Sequence, residues 1–259
     1  MTAAANYLRV GDSGPALIFL HGIGGGKESW RRQIEHFGTH GYRAFAWDAP
    51  GYGGAPLPTD YTWPVLALAL RDFLDRMQLP RAIVVGHSMG GMLAQEFAAR
   101  YPERLQALVL SGTSPAFGRA DGAWQQEFVQ KRLGPLDAGK TMADLAPGLV
   151  AGLIGEAPDA AGVEAARACM SGVAPETYRR AVRNLLTFDR RAALAEIAVP
   201  TLLLAGEKDT TAPAAVMQRM AEKIKGASFH CLPGAGHLAN FEQPDAYNAA
   251  IAAFLARLR

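Results

Sequence analysis

Five residues, Gly86-His87-Ser88-Met89-Gly90, stand where the apolar run Ala82-Ile83-Val84-Val85 stops and a helical pattern begins. Such a junction leaves the chain little choice. To turn from strand into helix in so short a space, the positions two before and two after the serine must be nearly free of side chain, or they would strike the neighbouring strand and helix. The serine hydroxyl is then held out above a sheet, as in a nucleophile elbow. Its own amide and that of Met89 fall at a helix N-terminus, where free N–H groups and the dipole favour negative charge. The next segment fits: Gly91 to Ala99 is rich in helix formers, sets Leu93 and Phe97 on one face, and is stopped by Tyr101-Pro102.

Elsewhere short apolar runs alternate with longer helical patterns, the signature of parallel β-α-β winding. The expected strands are Ala16–Leu20, Arg43–Trp47, Ile83–Val85, Ala107–Leu110, Thr201–Ala205 and Phe229–Leu232. They are almost continuously apolar, so helices should cover both faces of the sheet. Helices are expected at Trp63–Met77, Met89–Arg100, Ala214–Ile224 and Asp245–Leu258. The interval 114–196 breaks the alternation. It holds no convincing strand and reads as an inserted helical lid, with helices at Ala123–Leu133, Thr141–Ile154, Ala160–Met170 and Pro175–Phe188. The rest, 1–113 and 197–259, forms one α/β core with a mostly parallel, doubly wound sheet.

Composition narrows the function classes. The 259 residues are 49% hydrophobic, enough for one large core, and 26 basic residues nearly balance 24 acidic ones. No basic tract suits a phosphate backbone or an anionic membrane, so neither nucleic acid nor membrane is an expected partner. The two cysteines, Cys169 and Cys231, have no companion at metal-site spacing, so no disulfide, metal or cofactor is expected. The Met1–Val10 segment lacks a leader pattern, and no apolar run approaches the roughly 18 residues that span a bilayer. A soluble, cytoplasmic protein is the expectation; oligomeric state is not legible.

A serine is a poor nucleophile at neutral pH, so the turn at Ser88 calls for a base and an acid that orients it. Of six histidines, His237 is the best placed, in Gly234-Ala235-Gly236-His237 just after the last strand. His36 and His40 have metal-ligand spacing, but Gly38 and Gly41 should interrupt any helix there and solvated positions are expected. His230 should be a packed or edge residue in a strand, and His87 a structural neighbour of the serine. Asp209 follows the strand Leu202–Ala205 at its carboxyl end and completes the chain order serine, aspartate, histidine. Glu207 reads as a turn or surface residue and Asp48 as part of a conformational turn.

With these motifs in place, the chain resembles the α/β-hydrolases, specifically their lid-bearing serine hydrolase branch of esterases and enol-lactonases. The matching elements are His21-Gly22 after the first core strand, the Asp48–Gly53 turn, the Gly86–Gly90 junction, Asp209, and Gly236-His237 followed by Phe241-Glu242-Gln243-Pro244. The resemblance implies Ser88 as nucleophile, His237 as base, Asp209 as orienting acid, and the amides of Ile23 and Met89 as an oxyanion hole shaped by His21-Gly22. It departs from the family at its start. Only Asn6–Val10 precedes Gly11-Asp12-Ser13-Gly14, so a longer antiparallel hairpin has no room and the first edge strand is expected to be missing.

A serine rather than an aspartate at this turn disfavours the dehalogenase and epoxide hydrolase reactions of the fold. The leading expectation is hydrolysis of a small carboxylic ester or lactone through an acyl-enzyme. The alternatives are carbon–carbon bond hydrolysis of aromatic ring-cleavage products and a non-catalytic small-molecule receptor. Relatives of the carbon–carbon kind often carry a tryptophan after the histidine, where Leu238 stands here. In the insertion, Trp124, Phe128, Met142, Leu145, Leu149, Met170 and Leu186 are candidate pocket residues, although at helical spacing each reads first as core of the insertion. Arg179 and Arg183, one turn apart, are candidates to meet a substrate carboxylate, but a solvated helix face is the first reading.

Overall fold

The computed structural model describes residues 6–118 and 121–258. Residues 1–5, part of the segment from which the lack of a leader was read, lie outside the described residues, as do 119, 120 and 259.

Seven strands form one sheet: β1 (Tyr7–Val10), β2 (Ala16–Leu20), β3 (Arg43–Trp47), β4 (Ala82–His87), β5 (Leu105–Ser111), β6 (Thr201–Gly206) and β7 (Ser228–Leu232). Their spatial order is β1-β3-β2-β4-β5-β6-β7, and only β1 runs antiparallel, pairing Tyr7 with Trp47 and Val10 with Ala44. A single antiparallel strand forms that edge of the sheet. All six expected strands are present, four of them one to three residues longer than expected.

Alternation along the strands feeds two cores. Leu17, Phe19, Ile83 and Val85 face α1 (Arg31–Thr39) and α10 (Pro244–Ala256), meeting Trp30, Ile34, Phe37, Tyr247 and Ile251. Ile18, Leu20 and Val84 face the other way, towards α2 (Trp63–Arg76), α3 (Met89–Arg100) and α8 (Ala214–Lys223). A sheet packed on both faces needs apolar residues at every strand position, which is why the runs read as continuous.

From β2 the chain winds outwards to β3, then crosses back over β2 to β4 and continues to β7. The winding reverses between β2 and β4, and their carboxyl ends part to leave a crevice. The loops after β2, β4, β6 and β7 all open on that edge. Between β5 and β6 the chain inserts α4 (Ala123–Asp137), α5 (Met142–Ala151), α6 (Ala160–Ser171) and α7 (Pro175–Leu185). The two ends of this insertion are zipped together by Phe117 N–H to Phe188 O, 3.0 Å, and Arg190 N–H to Pro115 O, 2.7 Å. Glu96 of α3, buried, pairs with Arg100 and with Arg190 and so ties the insertion to the core. Among the described residues no helix is long and apolar enough to cross a membrane.

One local expectation fails. Helix α1 runs through Gly38 to Thr39, so glycine does not interrupt it. Gly38 is there because α1 lies against β1: a Cβ at this position would sit 2.4 Å from Val10 Cγ1 and 2.7 Å from the Val10 carbonyl carbon. Close approach, not a break, is its role. The short α9 (Ala239–Glu242) was also not foreseen.

Gly38→Ala is expected to lower the free energy of unfolding by about 1–3 kcal/mol through overpacking. Gly148→Ala, on the open side of α5 with nothing within 4 Å of the new methyl, should be neutral or gain up to about 1 kcal/mol of helix propensity. Urea titration of the two variants checks the contrast; equal effects would contradict the close-approach argument.

Candidate active site

The site begins with backbone. Ser88 has φ 54° and ψ −118°, a left-handed conformation that costs a non-glycine residue of order 1–3 kcal/mol. The turn is locked from both sides: Ser88 N–H donates to Ser111 O (2.9 Å), and Ser88 O accepts from Gly91 N–H (2.9 Å), Met92 N–H (3.1 Å) and the Thr113 hydroxyl (2.9 Å). A Cβ on Gly86 would lie 2.3 Å from Gly90 O, and one on Gly90 would lie 2.2 Å from Leu20 O. These are the clashes that the motif's two glycines avoid. Because the Ser88 amide is spent on Ser111, it is not a free donor as expected from the sequence; Met89, which opens α3, retains that position at the helix N-terminus.

Ser88 Oγ lies 3.0 Å from His237 Nε2, and His237 Nδ1 lies 2.8 Å from Asp209 Oδ2. A carboxylate only accepts, so Nδ1 carries the proton, and Nε2 is left to accept from the serine hydroxyl. The other oxygen, Asp209 Oδ1, accepts from Thr211 N–H (2.8 Å) and Ala212 N–H (2.9 Å). Burial alone would raise the Asp209 carboxyl. The facing His237, with these hydrogen bonds, outweighs burial and holds it below the usual carboxylate range. All of this is nearly dry, Asp209 being 4% and His237 6% exposed.

The loop bearing His237 is stapled to the insertion. His237 N–H donates to Leu153 O (2.7 Å), and buried Glu242 accepts from both Gly236 N–H (2.9 Å) and Gly155 N–H (2.7 Å). Glu242 was legible in the motif after His237, but no role could be attached to it. The other flank is equally fixed. His21 Nε2 accepts from Ala49 N–H (3.1 Å), which leaves Nδ1–H to donate to Gly22 O (2.8 Å). Ile23 O accepts from the Tyr52 hydroxyl (3.0 Å), and Asp48, buried and paired with Lys27 at 2.8 Å, anchors the loop from below.

A cavity of about 400 Å³ opens over these groups. Ile23, Ser88, His237, Trp124, Phe128 and Met170 line it, together with Arg132 and Arg191, which were not singled out from sequence. Leu185 reaches it, whereas Leu186, Leu145 and Leu149 do not, and Met142 is buried in the insertion's own packing. Arg179 and Arg183 are not brought to the cavity. Arg179 pairs with Asp137, joining α7 to α4, and Arg183 is exposed. Of the remaining histidines, His36 and His40 stack on the surface at 4.4 Å and His230 is exposed on edge strand β7. Among the described residues no cluster of metal-ligating side chains occurs.

The alpha/beta hydrolase family model matches residues 17–250. The chain belongs to the alpha/beta hydrolase family. It is 30% identical to 3-oxoadipate enol-lactonase 2 of Acinetobacter baylyi over 98% of this chain and 94% of that one. It is 28% identical to a 2-hydroxy-6-oxononadienedioate/2-hydroxy-6-oxononatrienedioate hydrolase of a Pseudomonas species, over 95% and 90% respectively. Among solved structures, a hydrolase from Pseudomonas aeruginosa PA01 superposes with a TM-score of 0.85 at 30% identity, covering 96% of this chain and 93% of that one. The alpha/beta hydrolase fold, and hydrolysis as the class of activity, follow for this chain.

His87 gives this hydrolase a pH dependence of stability. Its ring is buried 4.9 Å from that of His237, and burial, with His237 adding to it, pushes it down to about 3. In an unfolded chain it would titrate near pH 6.5. Between these values the unfolded chain holds more protons, so stability is lost as pH falls through that window, by up to about 1.4 kcal/mol per pH unit from this group. His21, lowered by burial, acts in the same direction. Urea unfolding at stepped pH from 7 to 5 should show that decline, and His87→Asn should flatten it; an unchanged slope would contradict the assignment.

Proposed function

We propose that this alpha/beta hydrolase cleaves a small carboxylic ester or lactone through an acyl-enzyme on Ser88. The observation that carries the reading is the Ser88–His237–Asp209 relay, continuous at 3.0 and 2.8 Å. In the proposed reaction His237 Nε2 takes the Ser88 proton as Oγ attacks the carbonyl carbon. The anion formed on the carbonyl oxygen is held by the amides of Ile23 and Met89, and the leaving oxygen takes the proton from His237 as its bond to carbon breaks. Water then repeats the sequence on the acyl-serine. Asp209 keeps the imidazole in the tautomer that accepts from serine and stabilises it once charged.

The enol-lactonase relative supports a lactone or ester, and the modest cavity supports a small one. In this reading the helices inserted between β5 and β6 act as a lid that decides what enters. A second reading, carbon–carbon bond hydrolysis, is favoured by the likeness to the dienedioate hydrolase.

Short p-nitrophenyl esters should be turned over, and Ser88→Ala should lower the rate by about four to six orders of magnitude. Asp209→Asn should cost on the order of 10⁴. A yellow ring-cleavage product assayed beside the esters separates the two readings: bleaching without ester turnover would replace the first by the second. A fluorophosphonate should label the wild-type chain and not Ser88→Ala; a folded chain inert to it would instead indicate a binding protein.

A further inference from the structure

Helix α4 turns one stripe to the cavity. Trp124, Phe128 and Arg132 stand four residues apart, which stacks them along a single helix face, and all three line the space above Ser88 and His237. Phe117 joins the two aromatic residues in a cluster with ring centroids 4.8 to 5.5 Å apart. Trp124 marks the open end of the stripe at 56% exposure. Arg132, half-buried, lies further in with its guanidinium 3.8 Å from the centre of the Phe128 ring.

Of the two arginines on the cavity wall, Arg132 is set apart by what it lacks. Arg167, Arg179, Arg180 and Arg190 pair with Glu164, Asp137, Glu176 and Glu96, and Arg191, the other arginine on the cavity wall, is held by Asp189. No described carboxylate pairs with Arg132. Its polar neighbour is the Tyr178 phenol, which burial keeps neutral, and the same burial works against the guanidinium's own charge. A cation drawn partly out of water without a counter-charge is costly unless something arrives to neutralise it. What fits the planar fork of a guanidinium best is a carboxylate, taken by two parallel N–H···O bonds.

We infer that Arg132 receives a free carboxylate on the substrate, so that this site takes the half-ester of a diacid or a lactone bearing a carboxylate, its hydrocarbon laid against Phe128 and Trp124. The inference rests on the ester or lactone reading for the reaction itself and adds to it the charge of the substrate. It also gives α4 a division of labour. The aromatic end admits an apolar chain, and the cationic end fixes how far that chain enters and which carbonyl is presented to Ser88.

The test compares mono-p-nitrophenyl esters of glutaric, adipic and pimelic acid with neutral esters in which an isopropyl group replaces the carboxylate. Wild-type enzyme should prefer at least one acidic ester over its neutral partner. Arg132→Gln should lower the acidic-to-neutral ratio of kcat/KM by about 10- to 100-fold, and Arg132→Lys, which keeps the charge without the fork, should recover part of it. A variant that merely folds poorly lowers both rates and leaves the ratio at its wild-type value. Calorimetric titration of Ser88→Ala with monomethyl adipate reads recognition without turnover; binding should be lost when Arg132→Gln is added. A wild-type preference for the neutral esters, or an unchanged ratio in Arg132→Gln, overturns the inference and leaves ester hydrolysis standing. Binding that depends on Arg132 with no ester hydrolysed upholds the carboxylate recognition at Arg132 and removes the reaction assigned above.

Discussion

The left-handed turn at Ser88 is the constraint on which the rest of the molecule depends. A residue at φ 54° with a side chain is held there only if its surroundings leave no alternative. Here the carbonyl of Ser111 takes the Ser88 amide, two amides of α3 and the Thr113 hydroxyl take its carbonyl, and the backbones of β2 and α3 close to distances that admit only glycine at 86 and 90. Parallel pairing of β4 with β2 and β5 therefore fixes the position of one hydroxyl.

Histidine and aspartate reach that hydroxyl from separate stretches of chain, and each arrives already constrained. Asp209 is oriented by two amides of its own turn, so the placing of the oxygen offered to His237 does not rest on the histidine alone. His237 is held through its backbone by Leu153, and its neighbour Gly236 by Glu242. Glu242 also grips Gly155, so the insertion and the histidine loop share one buried carboxylate. The insertion at residues 153–155 is thus tied by hydrogen bonds to the loop that places the imidazole.

Much of this was legible in the chain because its signals are local. Continuous apolar runs mark the strands packed on both faces, and the positions of Ser88, Asp209 and His237 beyond the ends of β4, β6 and β7 imply one shared sheet edge. Long-range contacts carry no comparable mark. Gly38 reads as a helix breaker until Val10 is seen against it. Arg179 looks free to meet a substrate until Asp137, distant in sequence, is found on the neighbouring helix. Arg132 shares the four-residue spacing of Trp124 and Phe128, yet its meaning lies in the absence of a partner, which no spacing reveals. The Ser88 amide looks free in the sequence for a related reason: whether a terminal N–H is free depends on the register of β4 with β5, which pairs His87 with Ser111.

The central claim is that the Ser88 oxygen is the atom that attacks an acyl carbon. Treatment with p-nitrophenyl dimethylcarbamate, whose carbamoyl-serine product hydrolyses slowly, followed by peptide mass spectrometry tests it directly. One dimethylcarbamoyl group per chain is expected, carried on Ser88, formed as p-nitrophenol is released and activity is lost. Inactivation with the group on another residue, or p-nitrophenol release that leaves Ser88 unmodified, would contradict it.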